Sequence, residues 1–263
     1  MKAFAGLMKK EFILSKFNIL SWLIPIFIFF GFQMFFGIRS GESSFLLPLL
    51  FMLLPLHIFF LPLITWHSLR TEGTTQLWLY NPNSTYKLVG AKLLTGTVHQ
   101  LISQILTVLL TILIFLLMDY QDFVSFYLSA NTLKIFSVIL LGSLYYAFWV
   151  LFLWTVYHSL ANFPIIRHLR WLIVAAIFIV YQWLETYIKG LDIVSDFINS
   201  SPTLFNGLGG EEFLLSENTS LFYSFEPVPV VIPLYHLLLV IILFIASCWL
   251  LDKKVEVGNG KGI

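Results

Sequence analysis

Apolar and polar residues are sorted into long blocks along this chain of 263 residues. Six blocks are continuously apolar over about 20 residues, the length that a helix needs to cross the hydrocarbon core of a bilayer. Their side chains do not alternate between apolar and polar, as the strands of a membrane barrel do. The pattern therefore predicts six transmembrane helices, at residues 18–37, 45–66, 93–118, 133–157, 171–188 and 232–251.

Proline recurs every seven residues in the second predicted span, at Pro48, Pro55 and Pro62. Each proline removes a backbone hydrogen bond and loosens the helix locally. Two interpretations stay open: fixed kinks that only shape the helix, and a flexible helix that bends during function.

The first 17 residues combine apolar and basic side chains at helical spacing. The apolar set is Phe4, Leu7, Met8 and Phe12, and the basic set is Lys2, Lys9, Lys10 and Lys16. Such a pattern predicts an amphipathic helix at residues 1–17 that lies in the membrane interface. The alternative is a short basic anchor that only fixes the orientation of the first span.

Composition indicates the same class, since 59% of the residues are hydrophobic, 11% are charged and the mean hydropathy is +0.88. We predict an all-α integral membrane protein, because so little polar surface cannot cover a soluble globule. With both termini in the cytoplasm, only Arg39, Lys134 and Lys189 of the 15 basic residues lie outside, as the positive-inside rule requires. This orientation predicts an extracellular segment at 189–231 with a short helix near 191–198, and a flexible tail at 258–263. We expect a multi-pass protein of the cell membrane, a bacterial plasma membrane, and no nucleic-acid partner.

The third predicted span carries a stripe of polar residues on one helical face. Gly96, Gln100, Gln104, Thr107 and Thr111 follow one another at spacings of three or four residues. Interhelical packing and hydrogen bonding are the first interpretation, and a surface facing a translocation path or a dimer partner is the second. No span carries a paired charge deep in its centre, which argues against an ion-coupled secondary transporter.

His57 and Gln33 stand alone in the sequence, so we predict no proton relay. We also predict no catalytic residue and no metal site, because the motifs for hydrolases and zinc enzymes are missing. A phosphate-binding G-x-x-x-x-G-K-[ST] loop is missing too, so the chain is not expected to hydrolyse ATP by itself.

Residues 67–92 form a polar interruption on the basic side of the predicted topology. Glu72 is expected near the start of a short helix, where the helix dipole favours an acid. Leu77, Trp78 and Tyr80 are side chains of the kind that anchor protein interfaces, and Pro82 ends the helix before the next span. We call residues 67–92 the coupling segment, since they predict a surface for a protein partner.

The coupling segment resembles the connection between the second and third spans of ABC-2 type transporter permeases. The residues that carry the resemblance are Arg70, Glu72, Gly73, Thr74, Leu77, Trp78, Tyr80, Pro82 and Lys92. The six-span layout and the N-terminal helix are similar as well, so the family would extend over a permease domain at residues 18–257. The family usually has an apolar pair where Trp78 and Leu79 stand.

The resemblance implies the permease subunit of an ABC exporter, which pairs with a second permease chain, identical or related. Two copies of a separate ATPase subunit would bind ATP and Mg, and this chain would hold no cofactor. The exported substrate would be amphipathic or hydrophobic: a peptide, an antibiotic or a lipid-linked compound. A membrane sensor, an immunity protein or a scaffold is the alternative, and a neighbouring gene for a P-loop ATPase would distinguish the two.

Overall fold

The structure is a computed structural model that describes residues 2–40, 53, 55–75, 83–117, 130–205, 211–216, 219–223 and 228–253. Within these residues the chain is mainly helical and divides into two compact units. Unit 1 contains Met1–Thr71, Lys87–Ala147 and Gly210–Tyr223. Unit 2 contains Glu72–Tyr86, Phe148–Gly209 and Ser224–Ile263.

The described helices, in chain order, are α1 Lys2–Ser40, α2 Phe60–Thr75, α3 Thr85–Leu117, α4 Ala130–Ser159, α5 Arg170–Lys189, α6 Asp192–Ser200 and α7 Val231–Lys253. A 3-10 turn at His57–Phe59 precedes α2. Two more 3-10 turns, Leu160–Asn162 and Arg167–Leu169, connect α4 to α5.

Five described helices are long and apolar enough to cross a membrane: Ala3–Phe36, Thr85–Leu117, Leu133–Ser159, Arg167–Lys189 and Val231–Lys253. They correspond to the predicted spans 18–37, 93–118, 133–157, 171–188 and 232–251. Large apolar side chains such as Phe32, Leu109 and Ile179 are exposed on these helices, as lipid-facing residues are. The chain is therefore a mainly helical protein whose helices suit several membrane crossings.

The sixth predicted span, at 45–66, begins outside the described residues, and so does Pro48. Its second half contains the 3-10 turn and the start of α2, with Pro62 in the first helical turn. Proline is well tolerated there, because the first N–H groups of a helix have no partner within it. Pro62 cannot donate to the carbonyl of Ile58, so one backbone hydrogen bond is missing at this point, and both interpretations of the prolines stay predictions.

Helix α1 is continuous over 39 residues, which corresponds to about 58 Å and twice the thickness of the hydrocarbon core. No break in the helix separates the predicted interfacial helix at 1–17 from the predicted span at 18–37. Lysine has high helix propensity, so the basic residues do not end the helix. The buried side of its first half is Leu7, Glu11 and Ser15, while Phe17 is exposed.

Short strands in the segment 189–231 are an addition to the otherwise helical fold that the sequence predicts. They are β1 Thr203–Phe205, β2 Glu211–Ser216, β3 Thr219–Tyr223 and β4 Val228–Pro229. In unit 1, β2 pairs antiparallel with β3, and Glu212 lies opposite Phe222. In unit 2, β1 pairs antiparallel with β4, and Thr203 lies opposite Pro229. The helix expected near 191–198 is confirmed as α6.

Aromatic and small residues make the close helix contacts inside each unit. In unit 1, Trp22 of α1 meets Phe60 of α2 edge to face, with ring centroids 4.9 Å apart. A Cβ atom added to Gly96 of α3 would lie 2.5 Å from Cδ1 of Leu61. In unit 2, the ring of Trp149 on α4 lies 4.5 Å from that of Tyr181 on α5. Helix packing thus brings α1, α2 and α3 together around the polar residues described next.

Candidate functional site

The coupling segment is largely helical at both ends, because α2 extends to Thr75 and α3 begins at Thr85. Arg70 is exposed on α2, whereas Glu72 is only 4% exposed. Gly73 packs against Trp154, since an added Cβ atom would lie 3.0 Å from the indole carbon Cζ2. Leu77, Trp78, Tyr80 and Pro82 lie outside the described residues, as does the side chain of Thr74.

Glu72 does not begin a helix. Helix α2 starts at Phe60, so Glu72 lies well inside it, and the expected stabilisation by the helix N-terminus is wrong. The apolar run before Ser68 continues as helix through the polar residues, because Arg70 and Glu72 both have good helix propensity. A buried acid also presents little surface to a partner protein.

Lys92, the last residue of the coupling segment, contacts two other helices. Its Nζ donates to Glu11 Oε2 and to Ser68 Oγ, at 2.9 Å each, and Ser68 Oγ donates to the same carboxylate oxygen at 3.3 Å. Glu11 is 6% exposed and Lys92 is 7% exposed. We call Glu11, Ser68 and Lys92 the charged junction, since it joins α1, α2 and α3 through one buried ion pair.

His99 extends the charged junction by two turns along α3. Ser15 donates to the carbonyl of Glu11 at 2.7 Å, so its hydroxyl proton is not available to His99. The His99 Nδ1 atom lies 3.4 Å from Ser15 Oγ and is therefore the donor of that contact. Phe12 meets the His99 ring edge to face at 4.8 Å. The face of α1 that carries Glu11 and Ser15 is thus fixed to α3 by polar and aromatic contacts.

The polar stripe of α3 is buried inside unit 1. Gln100, Gln104, Thr107 and Thr111 are at most 3% exposed. This burial is what interhelical packing requires, and a role of the stripe in a translocation path or a dimer stays a prediction. Thr107 and Thr111 donate to carbonyls four residues earlier in their own helix, at 2.9 and 2.8 Å.

His57 faces this stripe. The sequence suggested that His57 is isolated, but the structure gives it several polar partners. Its Nδ1 atom donates to the carbonyl of Leu53 at 3.0 Å, which leaves Nε2 as an acceptor. Two hydroxyls lie near Nε2: Ser103 Oγ at 3.1 Å and Thr107 Oγ1 at 3.4 Å. Thr107 already donates its proton to the carbonyl of Ser103. The donor to Nε2 is therefore Ser103 Oγ. Gln100 Nε2 donates to the backbone carbonyl of His57 at 3.2 Å. We call His57, Gln100, Ser103 and Thr107 the histidine cluster.

Two amide groups of the stripe are incompletely bonded within the described part of the chain. Gln100 Oε1 and Gln104 Nε2 are buried there and have no hydrogen-bond partner. Buried polar atoms without a partner are costly, so such positions call for a functional or structural explanation.

A second polar cluster lies in unit 2, between α5 and α7. Glu185 Oε1 lies 2.5 Å from Lys189 Nζ and 3.4 Å from His236 Nε2. The hydroxyls of Tyr181 and Tyr235 are 3.0 Å apart. At the other end of α7, Asp252 accepts a hydrogen bond from Thr85, the first residue of α3. Within the described residues, no group of three His, Cys, Asp or Glu side chains is arranged to hold a metal ion.

Sequence reasoning missed the charged junction and the histidine cluster for the same reason. Glu11 and Lys92 are 81 positions apart, and His57 and Ser103 are 46 apart, so no local pattern connects them. One signal was available: Glu11 is the only acid before Glu42, in helical register with Leu7 and Ser15. A lone acid in a basic helix indicates a specific partner.

The comparisons with known proteins add one distant relative. No protein-family model matches the sequence, and no solved structure matches it. The chain is 27% identical over 267 residues to the uncharacterized protein YhcE of Bacillus subtilis strain 168. The alignment covers 98% of this chain and 100% of YhcE, so the similarity extends over nearly the full length of both.

Proposed function

We propose that this chain is the permease subunit of an ATP-driven exporter of the ABC-2 type. The observation that carries the proposal is the charged junction, which connects α1 to the two helices that flank the middle of the coupling segment. A partner that moves this segment would move α2 and α3, and the buried ion pair would transmit that movement to α1. The partner in this proposal is a separate ATPase subunit, present in two copies, that binds ATP and Mg.

The transport path of the proposal is formed with a second permease chain, identical or related. The substrate is an amphipathic or hydrophobic compound, namely a peptide, an antibiotic or a lipid-linked molecule. The incompletely bonded amides of Gln100 and Gln104 support a changing environment around the stripe, because a second conformation or a substrate could satisfy them.

Co-purification from the source membrane tests the central claim. The intact chain should bring down a P-loop ATPase, and the complex should hydrolyse ATP, whereas the chain alone should not. ATP hydrolysis by the purified chain alone would disprove the proposal that a separate subunit hydrolyses ATP. Isolation without any ATPase would favour the alternative class of sensor, immunity protein or scaffold.

Charge reversal on either side of the undescribed residues 76–82 locates the ATPase contact. Arg70 and Lys87 are both exposed, so Arg70→Glu and Lys87→Glu alter the surface without disturbing a buried contact. We expect each variant to reach the membrane at the normal level and to lose ATPase binding, because like charges at an interface cost several kcal/mol. Arg39→Glu, an exposed charge at the far end of α1, is the matched control and should bind normally.

Unchanged ATPase binding by both Arg70→Glu and Lys87→Glu would remove the coupling assignment. Glu72→Lys is a poor test of the same contact. Glu72 is buried, so its substitution would disturb folding as well as any surface contact. Expression of the variants must therefore be compared before binding is interpreted.

A further inference from the structure

The connection between α4 and α5 combines exposed cations with exposed apolar side chains. Arg167 and His168 are exposed, and between Tyr157 and Trp171 the chain contains no Asp or Glu. The apolar members are Phe163, Ile165, Leu169 and Trp171, and Ile165 is 91% exposed. Bulk water is a poor environment for four such side chains within nine residues, whereas the boundary between lipid headgroups and acyl chains suits them.

The backbone of this connection is held in place by its own hydrogen bonds. Arg167 N donates to the carbonyl of Phe163 at 3.0 Å, and Leu169 N donates to the carbonyl of Ile166 at 2.9 Å. The two 3-10 turns and these bonds fix the direction of the side chains between them. A ligand therefore meets a preformed surface.

Arg167 lies in the 3-10 turn before α5, and Arg170 and Trp171 follow it by three and four residues at the start of the helix. At these spacings Arg167 is a neighbour of both side chains. Arg170 is oriented from two sides. Its Nε donates to the carbonyl of Arg167 at 2.9 Å, and its guanidinium carbon lies 4.5 Å above the Tyr157 ring. Arginine has five N–H donors, so the four on its terminal nitrogens are left to bind phosphate oxygens.

We propose that this surface, formed by Arg167, Arg170, Ile165 and Trp171, binds the phosphate headgroup of an anionic glycerophospholipid. The arginines bind the phosphate, and the apolar side chains enter the adjacent acyl region. The exposed apolar residues favour a lipid over a free anion as the ligand. Inorganic phosphate would leave Ile165 and Trp171 in water, whereas the acyl chains of a lipid would cover them. The proposal does not depend on a transport function of the chain.

Lipid binding to the purified full chain in neutral detergent tests this site, with native mass spectrometry as the measurement. Dioleoylphosphatidylglycerol and dioleoylphosphatidylcholine are titrated separately, and inorganic phosphate is added as a competitor. We expect tighter binding of phosphatidylglycerol. Arg167→Gln should weaken it about fivefold, which corresponds to one basic residue at an anionic membrane surface.

Three comparison variants make the outcome specific. Arg167→Lys keeps the charge and should retain most of the affinity, while Ile165→Ser should weaken both lipids by removing an apolar contact. Arg39→Gln removes an exposed charge elsewhere and should leave the tightest site unchanged. Equal affinity for the two lipids, or normal phosphatidylglycerol binding by Arg167→Gln, would overturn the proposal. Displacement of the lipid by millimolar phosphate would show a free-anion site and would overturn it as well.

Discussion

The contribution of Glu11 to the free energy of unfolding depends on the presence of Lys92, and the reverse is also true. Moving either charge out of water is costly, and their attraction offsets that cost only while both are present. Lys92 also donates to Ser68, so its charge is satisfied from two helices. Loss of one partner therefore leaves an uncompensated charge in a buried region.

The first prediction concerns this pair. Lys92→Met should lower the free energy of unfolding by about 3–5 kcal/mol, because it leaves the Glu11 carboxylate buried without its partner. Adding Glu11→Gln to Lys92→Met should recover part of the loss. Reversible denaturant unfolding in detergent measures both values.

Lys10→Met is the matched control for Lys92→Met. Lys10 Nζ lies 3.9 Å from the other oxygen of Glu11, but its side chain is 32% exposed. Surface pairs of this kind contribute about 1 kcal/mol or less. Equal losses for Lys10→Met and Lys92→Met would mean that burial does not strengthen the junction.

The second prediction concerns Ser103 in the histidine cluster. Ser103→Ala removes the donor to His57 Nε2 and should cost about 0.6–2 kcal/mol, the range for hydrogen bonds between helices in membranes. The control is Ser137→Ala, because that hydroxyl bonds within its own helix to the carbonyl of Leu133. No difference between the two variants in unfolding free energy would show that the His57 contact is energetically neutral.

At the scale of elements, the approach of α3 to α2 depends on Gly96. An added methyl group would meet Leu61 Cδ1 at 2.5 Å, so the leucine would have to move. Gly90 lies in the same helix and has no atom within 4 Å of an added Cβ. These two glycines separate the effect of packing from the effect of helix propensity.

The third prediction compares Gly96→Ala with Gly90→Ala. Gly90→Ala should stabilise the protein by about 0.5–1 kcal/mol, because alanine loses less backbone entropy in a helix. Gly96→Ala gains the same term but overpacks the contact with Leu61, at a cost of about 1–3 kcal/mol. Thermal unfolding should therefore rank Gly90→Ala above the wild type and Gly96→Ala below Gly90→Ala.

The sequence predicted the helices that are determined by a local pattern of apolar residues. A continuous apolar run of span length is sufficient to identify α4, α5 and α7. Helices α1 and α3 extend beyond the predicted spans, because Lys9, Lys16 and Lys87 have good helix propensity and continue the helices. The strands β2 and β3 were not predicted, since their pairing joins two short segments with weak individual patterns.

The candidate site was predictable only in part. The stripe of α3 followed from helical spacing, and its burial agrees with the packing interpretation. Its partner His57 could not be found, because the contact depends on how α2 and α3 pack. Lys92 was expected to serve a partner protein, yet it bonds with Glu11 and Ser68 inside unit 1.

At the scale of the whole molecule, the distribution of basic residues predicts the orientation of the chain in the membrane. Arg70, Lys87 and Lys92 lie on α2 and α3 within the coupling segment, whereas Lys189 ends α5 and is followed by α6. The positive-inside rule predicts that the first group lies in the cytoplasm and the second outside. An ATPase partner requires this orientation, because ATP is cytoplasmic.

The fourth prediction tests the orientation with single cysteines. Cys248 is fully buried, so maleimide should not label the parent protein. Ser84 and Ser200 are both exposed, and they stand on opposite sides in the predicted topology. In intact cells, a membrane-impermeant maleimide should label Ser200→Cys at once and Ser84→Cys only after the membrane is opened.

The reverse result would put the coupling segment outside the cell, where no ATPase could bind it. The exporter proposal would then be wrong even if the charged junction were fully confirmed, because buried contacts between α1, α2 and α3 fix the helices without fixing the side of the membrane.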